Sequence, residues 1–401
     1  MTEAIVRIAA RGDGVTAGGR HVAFAVPGDL LRDDGTIEPG PGHRDPPCRH
    51  FPQCGGCQLQ HLTDEAYADY CASRVSGALS QHGLETEIRP AHLSPPRTRR
   101  RATLRALKAG GRVLIGFNEA GSNRIVDMME CQILHPRLFE LLQPLRSLLA
   151  IILPGKRTAE IQLTLADQGP DLLLKGVEVA GLEAVEALTT FSEVNRLARL
   201  SIDEGFGAEP RYEPQPVTIT LGGVPVHFPI GSFLQATEDG EAALVDCVRE
   251  AVAGSSRIAD LFAGVGTFAL SLEGQITAAE ASRDAILALK MASSRSGRTV
   301  NAEHRDLYRR PYDATELGAF DAVVLDPPRA GAQEQVRELA KSAVPNIAYV
   351  SCNAATFARD AELMVSGGYR LLWARPVGQF RWSTHVELAA AFSRQRQAGR
   401  G

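Results

Sequence analysis

Arg257-Ile-Ala-Asp260-Leu-Phe262-Ala-Gly264-Val-Gly266-Thr267-Phe-Ala-Leu-Ser-Leu272 decides how the second half of this 401-residue chain is read. Arg257 to Phe262 has the apolar character of a buried strand, Ala263 to Gly266 form a glycine turn, and Thr267 to Leu272 are expected to be helical. Downstream, further strands are predicted to end at Glu280, Asp326 and Cys352, with helical stretches between them. Upstream, a helix is expected from Glu238 to Ala253, and a hairpin pairs Val217–Leu221 with Val224–Phe228 around Gly222-Gly223. Strand and helix alternating at this spacing predict a doubly wound α/β domain, whose ligands bind beyond the carboxyl ends of the strands. The chemically distinctive residues of this half fall at such ends.

The glycine turn suits a nucleoside cofactor, because glycines let the backbone approach the ligand, and Glu280 stands where a ribose-binding carboxylate belongs. Gly-x-Gly-x-x-Ala also fits a dinucleotide fold. Asp260, however, lies near the place of a pyrophosphate, and a cationic sulfonium tolerates that acid better, which favours S-adenosylmethionine. Asp326-Pro-Pro-Arg329 ends its strand with two prolines and fixes an acid at the pocket rim, where it can accept hydrogen bonds from the N–H groups of a planar base. Cys352, in Val350-Ser-Cys-Asn353, sits between a strand and a helix N-terminus, a position that favours a reactive thiolate. Taken alone it also fits a small buried core residue. Glu387, in His385-Val-Glu-Leu388, is an acid at the start of an apolar strand, and half-burial would raise its pKa toward that of a general base.

The first half has a different character. Residues 1 to about 45 read as a small β module and Asp34 to Pro47 as a polar linker; residues 46–212 form a central α+β domain, and 213–401 the cofactor domain. Cys48, Cys54 and Cys57 surround a Gly-Gly turn that can bring sulfurs round one point, with Cys131 as a fourth donor. Four thiolates suit a structural zinc or a [4Fe–4S] cluster, and spacing alone leaves both open. Between Arg97 and Arg112 lie seven basic residues and no acid, a local stripe for a polyanion on a chain of formal net charge −4. No run approaches a membrane span and the N-terminus lacks a secretory pattern, so a cytoplasmic protein without disulfides is expected.

Cys48-x5-Cys54-Gly-Gly-Cys57, Gly231-Ser-Phe-Leu-Gln235, Asp260-Leu-Phe-Ala-Gly-Val-Gly266, Asp326-Pro-Pro-Arg-Ala-Gly331, Ser351-Cys-Asn-x-x-Thr-x-x-Arg-Asp360 and His385-Val-Glu387 together closely resemble the RNA uracil-C5 methyltransferases, in particular their iron–sulfur branch acting on 23S ribosomal RNA. The resemblance implies a Rossmann-like class I methyltransferase domain and a central domain holding a [4Fe–4S] cluster on Cys48, Cys54, Cys57 and Cys131. It also implies an N-terminal TRAM-like (OB-like) module, which at about 40 residues would be truncated. It makes Cys352 the nucleophile and Glu387 the base, and gives Gln235, Phe262, Thr267, Glu280, Asp306 and Asp326 the S-adenosylmethionine pocket. A monomeric enzyme forming 5-methyluridine in ribosomal RNA follows, with transfer RNA as the alternative substrate and a non-catalytic RNA-binding assembly factor as the alternative class. Two departures stand out: the family often has Asn where this chain has Thr267 and Asp306, and its usual Lys after the cysteine motif is absent between Ala68 and Arg74.

Overall fold

The computed structural model describes residues 2–155 and 157–394. Its largest sheet has nine strands. We number seven of them in chain order: β1 (Arg257–Leu261), β2 (Gln275–Glu280), β3 (Val300–His304), β4 (Ala322–Leu325), β5 (Asn346–Ser351), β6 (Arg370–Gly378) and β7 (Glu387–Ser393). Their spatial order is 3-2-1-4-5-7-6, and two short strands, Glu87–Ile88 and His92–Leu93, add to β6 at the edge. β1 to β5 run parallel, whereas β7 is antiparallel to both β5 and β6.

Successive side chains of these strands feed two different cores. Ile258, Val324, Ala348 and Val350 pack on one face with the helices Glu238–Ala251 and Arg283–Ser296. Ala259, Leu261, Val323, Leu325, Ile347 and Tyr349 pack on the other, with Asp64–Ser80, Gln333–Lys341 and Ala354–Ser366. A sheet covered on both faces needs strands that are apolar throughout, and β4 (Ala-Val-Val-Leu) is buried at every residue. The antiparallel β7 matters for function, because it delivers its first residue, Glu387, opposite Val377 of β6 and beside the carboxyl end of β5.

A six-stranded sheet carries the central region, with Arg101–Ala109 and Thr158–Ala166 at its heart, packed against Leu142–Ile152 and Gly181–Val194. The helix Asp64–Ser80 and the strands Glu87–Ile88 and His92–Leu93, grouped with that region on sequence grounds, join the nine-stranded sheet instead. At the N-terminus, five short strands form one antiparallel sheet ordered 3-2-1-4-5 along the chain. This sheet is consistent with an OB-like module, and its last strand, Ile37–Glu38, lies inside the expected linker. Thr267–Leu272 is the clear departure: the segment is a run of turns, with Leu272 N–H bonding Phe268 and Leu270 N–H bonding Gly266. Among the described residues no helix is long and apolar enough to cross a membrane.

Candidate active site

One cavity of about 890 Å3 opens at the carboxyl ends of the parallel strands. Every catalytic and cofactor position expected from the sequence lines it: Gln235, Phe262, Thr267, Glu280, Asp306 and Asp326 together with Cys352 and Glu387. The glycine turn closes one side. Gly266 has φ +103°, a conformation that favours glycine, and a Cβ there would also crowd Leu289 Cδ1 of the Arg283–Ser296 helix at 2.5 Å. Phe262 adopts φ +66°, a left-handed conformation unusual for a bulky residue, which turns its ring into contact with Tyr308 at 5.5 Å between centroids. Glu280 is tied by backbone amides at both carboxylate oxygens, Gly264 N–H at 3.1 Å and Ser282 N–H at 2.8 Å. Asp306 likewise accepts from Tyr308 N–H at 3.0 Å.

The other side of the cavity is drier and more strongly perturbed. Glu387 is 4% exposed, and burial pushes its carboxyl up to about 7 despite a hydrogen bond from Gln379 that acts in the opposite direction. Burial, then the neighbouring Glu387 and Asp260, push Asp326 well above the usual carboxylate range. Asp260 itself is fully buried, with Oδ2 accepting from Ala269 N–H at 2.8 Å and Oδ1 unpartnered, and burial raises it to about 7.

Cys352 does not follow the expectation of a preformed thiolate. Burial first, then Glu387 and Asp326, raise its thiol; its own backbone amide and Arg329 pull the other way without prevailing. A low-dielectric pocket with two acids at the sulfur disfavours a further negative charge more than a helix end favours it. Cys352, Glu387 and Asp326 line this one cavity, and burial with the two acids favours the protonated thiol.

The Ser351–Asp360 motif has a second job that its spacing did not reveal. Asn353 caps the helix Ala354–Ser366 by accepting from Ala355 N–H, and its Nδ2 donates to the Arg329 carbonyl at 3.2 Å. Thr356 donates to the same carbonyl, Arg359 to that of Ala330, and Asp360 accepts from Ala332 N–H at 2.8 Å and from the Tyr349 hydroxyl at 2.7 Å. One helix thus grips the loop after Asp326-Pro-Pro and holds the acid and the thiol in fixed relation. A second residue that sequence reasoning missed is Gln379, buried behind the cavity between Gln235 and Glu387. A carboxamide in an otherwise apolar strand end was the only signal.

Cys48, Cys54, Cys57 and Cys131 converge on one small cavity beside the main one. All are free thiols, and burial raises each, Cys57 to about 12. The Gly55-Gly56 turn is forced by close approach, since a Cβ on Gly55 would lie 2.5 Å from the Asn118 carbonyl. Among the described residues no group of three or more His, Cys, Asp or Glu side chains is placed to hold a metal ion. Four thiols round one closed space are nonetheless a donor set of the kind that serves a zinc ion or a cluster, and the Arg99 charge opposes the upward push of burial on Cys57 and Cys131. The basic stripe is divided by the fold: Arg100 is buried against Glu241 at 2.7 Å and Arg105 pairs with Glu160 at 2.9 Å, whereas Arg97 and Arg112 are exposed. Arg99 faces the main cavity between the rings of Phe117 and Phe380.

Comparison with known proteins agrees with this geometry. The tRNA (uracil-5-)-methyltransferase family matches residues 274–395, the span from β2 through β7. An uncharacterized RNA methyltransferase of Zymomonas mobilis is 49% identical over 393 residues, 97% of this chain and 99% of that one. The 23S rRNA (uracil(1939)-C(5))-methyltransferase RlmD of Chromohalobacter salexigens is 33% identical over 381 residues, 90% of this chain and 78% of its own. Among solved structures, the Pyrococcus abyssi tRNA (uracil-54, C5)-methyltransferase in complex with S-adenosyl-L-homocysteine superposes with a TM-score of 0.72 over 98% of this chain and 100% of that one, at 24% identity, which establishes the shared class I methyltransferase fold. The chain belongs to the RNA uracil-C5 methyltransferase family and is an S-adenosylmethionine-dependent RNA methyltransferase.

Proposed function

We propose that this enzyme methylates C5 of a uridine in 23S ribosomal RNA through a transient bond between Cys352 and C6 of the base. The observation that carries the reading is the convergence of Cys352, Asp326 and Glu387 in the cavity that also holds the glycine turn and Glu280. The 33% identity to a 23S enzyme over 90% of the chain supports ribosomal RNA as the substrate class.

Uracil C5 is too weak a nucleophile to attack a sulfonium methyl unaided, and a sulfur at C6 converts it to an enolate-like carbon. Cys352 adds to C6 as its proton leaves for the nearby carboxylate or solvent, and C5 takes the methyl group, leaving S-adenosylhomocysteine. Glu387 then removes the C5 proton, the C6–S bond breaks and the thiol is reprotonated. One methyl group enters the RNA and one proton is released. A base near 7 suits that abstraction, because it is ionised at working pH yet still holds a proton well. Gln235, Phe262, Thr267, Glu280, Asp306 and Asp326, which line the cavity, would hold S-adenosylmethionine, the methyl donor. Lifting the uridine from its stack costs a few kcal/mol, which phosphate contacts from exposed arginines such as Arg97 offset.

Cys48, Cys54, Cys57 and Cys131 would hold a [4Fe–4S] cluster, which supplies structure and charge rather than electrons, since the methyl transfer needs none. An anaerobic preparation containing iron and sulfide would support this role, and a colourless protein with stoichiometric zinc would end it. For the function itself, 5-methyluridine is mapped in ribosomal and transfer RNA from cells lacking the protein, before and after incubation with the purified enzyme. Restoration at a single position of 23S RNA is expected. Restoration in transfer RNA alone would move the substrate class, and none in either pool would overturn the reading.

A further inference from the structure

The polarity of the cavity wall can be read outward from one backbone amide. The Ala236 N–H lies 2.8 Å from Gln379 Oε1, and because an N–H can only donate, that carboxamide atom must be the oxygen. Gln379 Nε2 therefore points the other way, and its two hydrogens meet Gln235 Oε1 at 2.7 Å and the Glu387 carboxylate. Gln235 must then turn its oxygen inward, which leaves its Nε2 on the cavity side, 3.5 Å from Asp326 Oδ2. Turning either amide over would set Gln379 Nε2 against the Ala236 N–H or Gln235 Nε2 against Gln379 Nε2, and no solvent reaches the pair to compensate. Gln379 is 1% exposed and Gln235 2%, and Gly240 approaches so closely that a Cβ there would stand 2.7 Å from Gln379 Cβ.

We propose that Gln379 is a positioning and specificity-determining residue: it locks the Gln235 carboxamide with its N–H toward the base and holds the Glu387 carboxylate, so that the site accepts uracil and refuses cytosine. This rests on the reading above, in which the base is a uridine and Glu387 takes its C5 proton. A donor at Gln235 beside an acceptor at Asp326 matches an adjacent carbonyl oxygen and N3–H, the pattern of uracil. Cytosine offers an amino group and a bare N3 in the same places, setting hydrogen against hydrogen and lone pair against lone pair. A buried polar wall that finds the wrong partner loses the full cost of desolvation, so the orientation of one amide is enough to discriminate. The donation to Glu387 also opposes the upward push of burial on that acid.

The test uses the full-length enzyme with a transcript carrying the mapped target uridine and a counterpart with cytidine at that position. Wild type is compared with Gln379→Met, which removes every hydrogen bond, and with Gln379→Glu, which keeps the shape but has at most one hydrogen for two acceptors. The preference for the uridine transcript over the cytidine competitor is expected to fall at least about tenfold in both variants. The acidic limb of the kcat profile is expected to move to higher pH, a change that a merely structural role would not produce. Should Gln379→Met fail to fold, the isosteric Gln379→Glu carries the test alone. An unchanged preference and an unmoved limb in a folded variant, with wild type active on uridine, would overturn this assignment alone. A wild type that makes no 5-methyluridine would overturn the function beneath it as well.

Discussion

Glu280 and Glu387 line one cavity, each at the end of a strand in one sheet, yet the fold gives them opposite settings. Glu280 remains partly open to the cavity and spends both oxygens on backbone amides of the turn it braces. Glu387 is buried, faces a single carboxamide, and is pushed up to about 7. The difference lies in the strands. β2 runs parallel and releases its last residue into a loop, whereas β7 runs antiparallel and begins inside the sheet, so its first residue is covered on both sides. One residue type thus serves as a fixed ligand brace at one edge and as a titrating base at the other.

Substitutions in the cavity sharpen that contrast. Cys352→Ala should lower turnover by on the order of 10^4-fold or more, as loss of a covalent nucleophile does, while leaving S-adenosylmethionine binding, measured by calorimetry, intact. Glu387→Gln should lower kcat by roughly 10^2–10^4-fold and, with addition and methylation still possible, should accumulate a denaturation-resistant bond to C5-methylated RNA without any fluorinated base. The same substitution should stabilise the protein at high pH. A carboxyl near 7 when folded and near 4.5 when unfolded favours folding only while it is protonated, so its cost grows as pH rises between those values. Thermal or urea unfolding of Glu387→Gln should show a gain on the order of 3 kcal/mol at pH 8 and almost none at pH 4. Correspondingly, wild-type kcat/KM should fall about tenfold per unit below pH 7.

Glu280→Ala should act chiefly on the cofactor, weakening S-adenosylmethionine by about tenfold, the worth of a good charged hydrogen bond, with a smaller change in kcat. If kcat for this variant fell as far as for Glu387→Gln, the division between brace and base would be wrong. Asp360→Ala lies outside both settings. It should cost about 2–3 kcal/mol by leaving Ala332 N–H and the Tyr349 hydroxyl without an acceptor, measured by urea unfolding.

Five strands of the catalytic sheet, β1, β2, β4, β5 and β7, were legible as largely apolar runs with the site residues at their ends, whereas the polar β3 (Val-Asn-Ala-Glu-His) and β6 were not anticipated. Three features of the site were not legible either. Thr267 to Leu272 carries an apolar pattern that suits a helix, but Asp260 accepts Ala269 N–H and Gly266 turns sharply, so the segment is spent on turns. The environment of Cys352 depends on β7 bringing Glu387 alongside, a pairing between residues far apart in the chain that no local motif encodes. Gln379 is invisible for the same reason, since its three partners come from the Gln235-Ala236 loop and the start of β7. The cysteine motif shows the reverse case. Its spacing correctly brings four thiols to one cavity, yet spacing cannot say which metal, if any, those sulfurs hold.

The covalent step is tested most directly with RNA carrying 5-fluorouridine at the mapped target. Fluorine at C5 cannot be removed as a proton, so an enzyme that has added Cys352 and transferred its methyl group is arrested. After nuclease digestion and proteolysis, mass spectrometry should find one methylated fluorouridine on the peptide containing Cys352, dependent on S-adenosylmethionine and absent from Cys352→Ala. An active enzyme that leaves every cysteine unmodified would contradict the account.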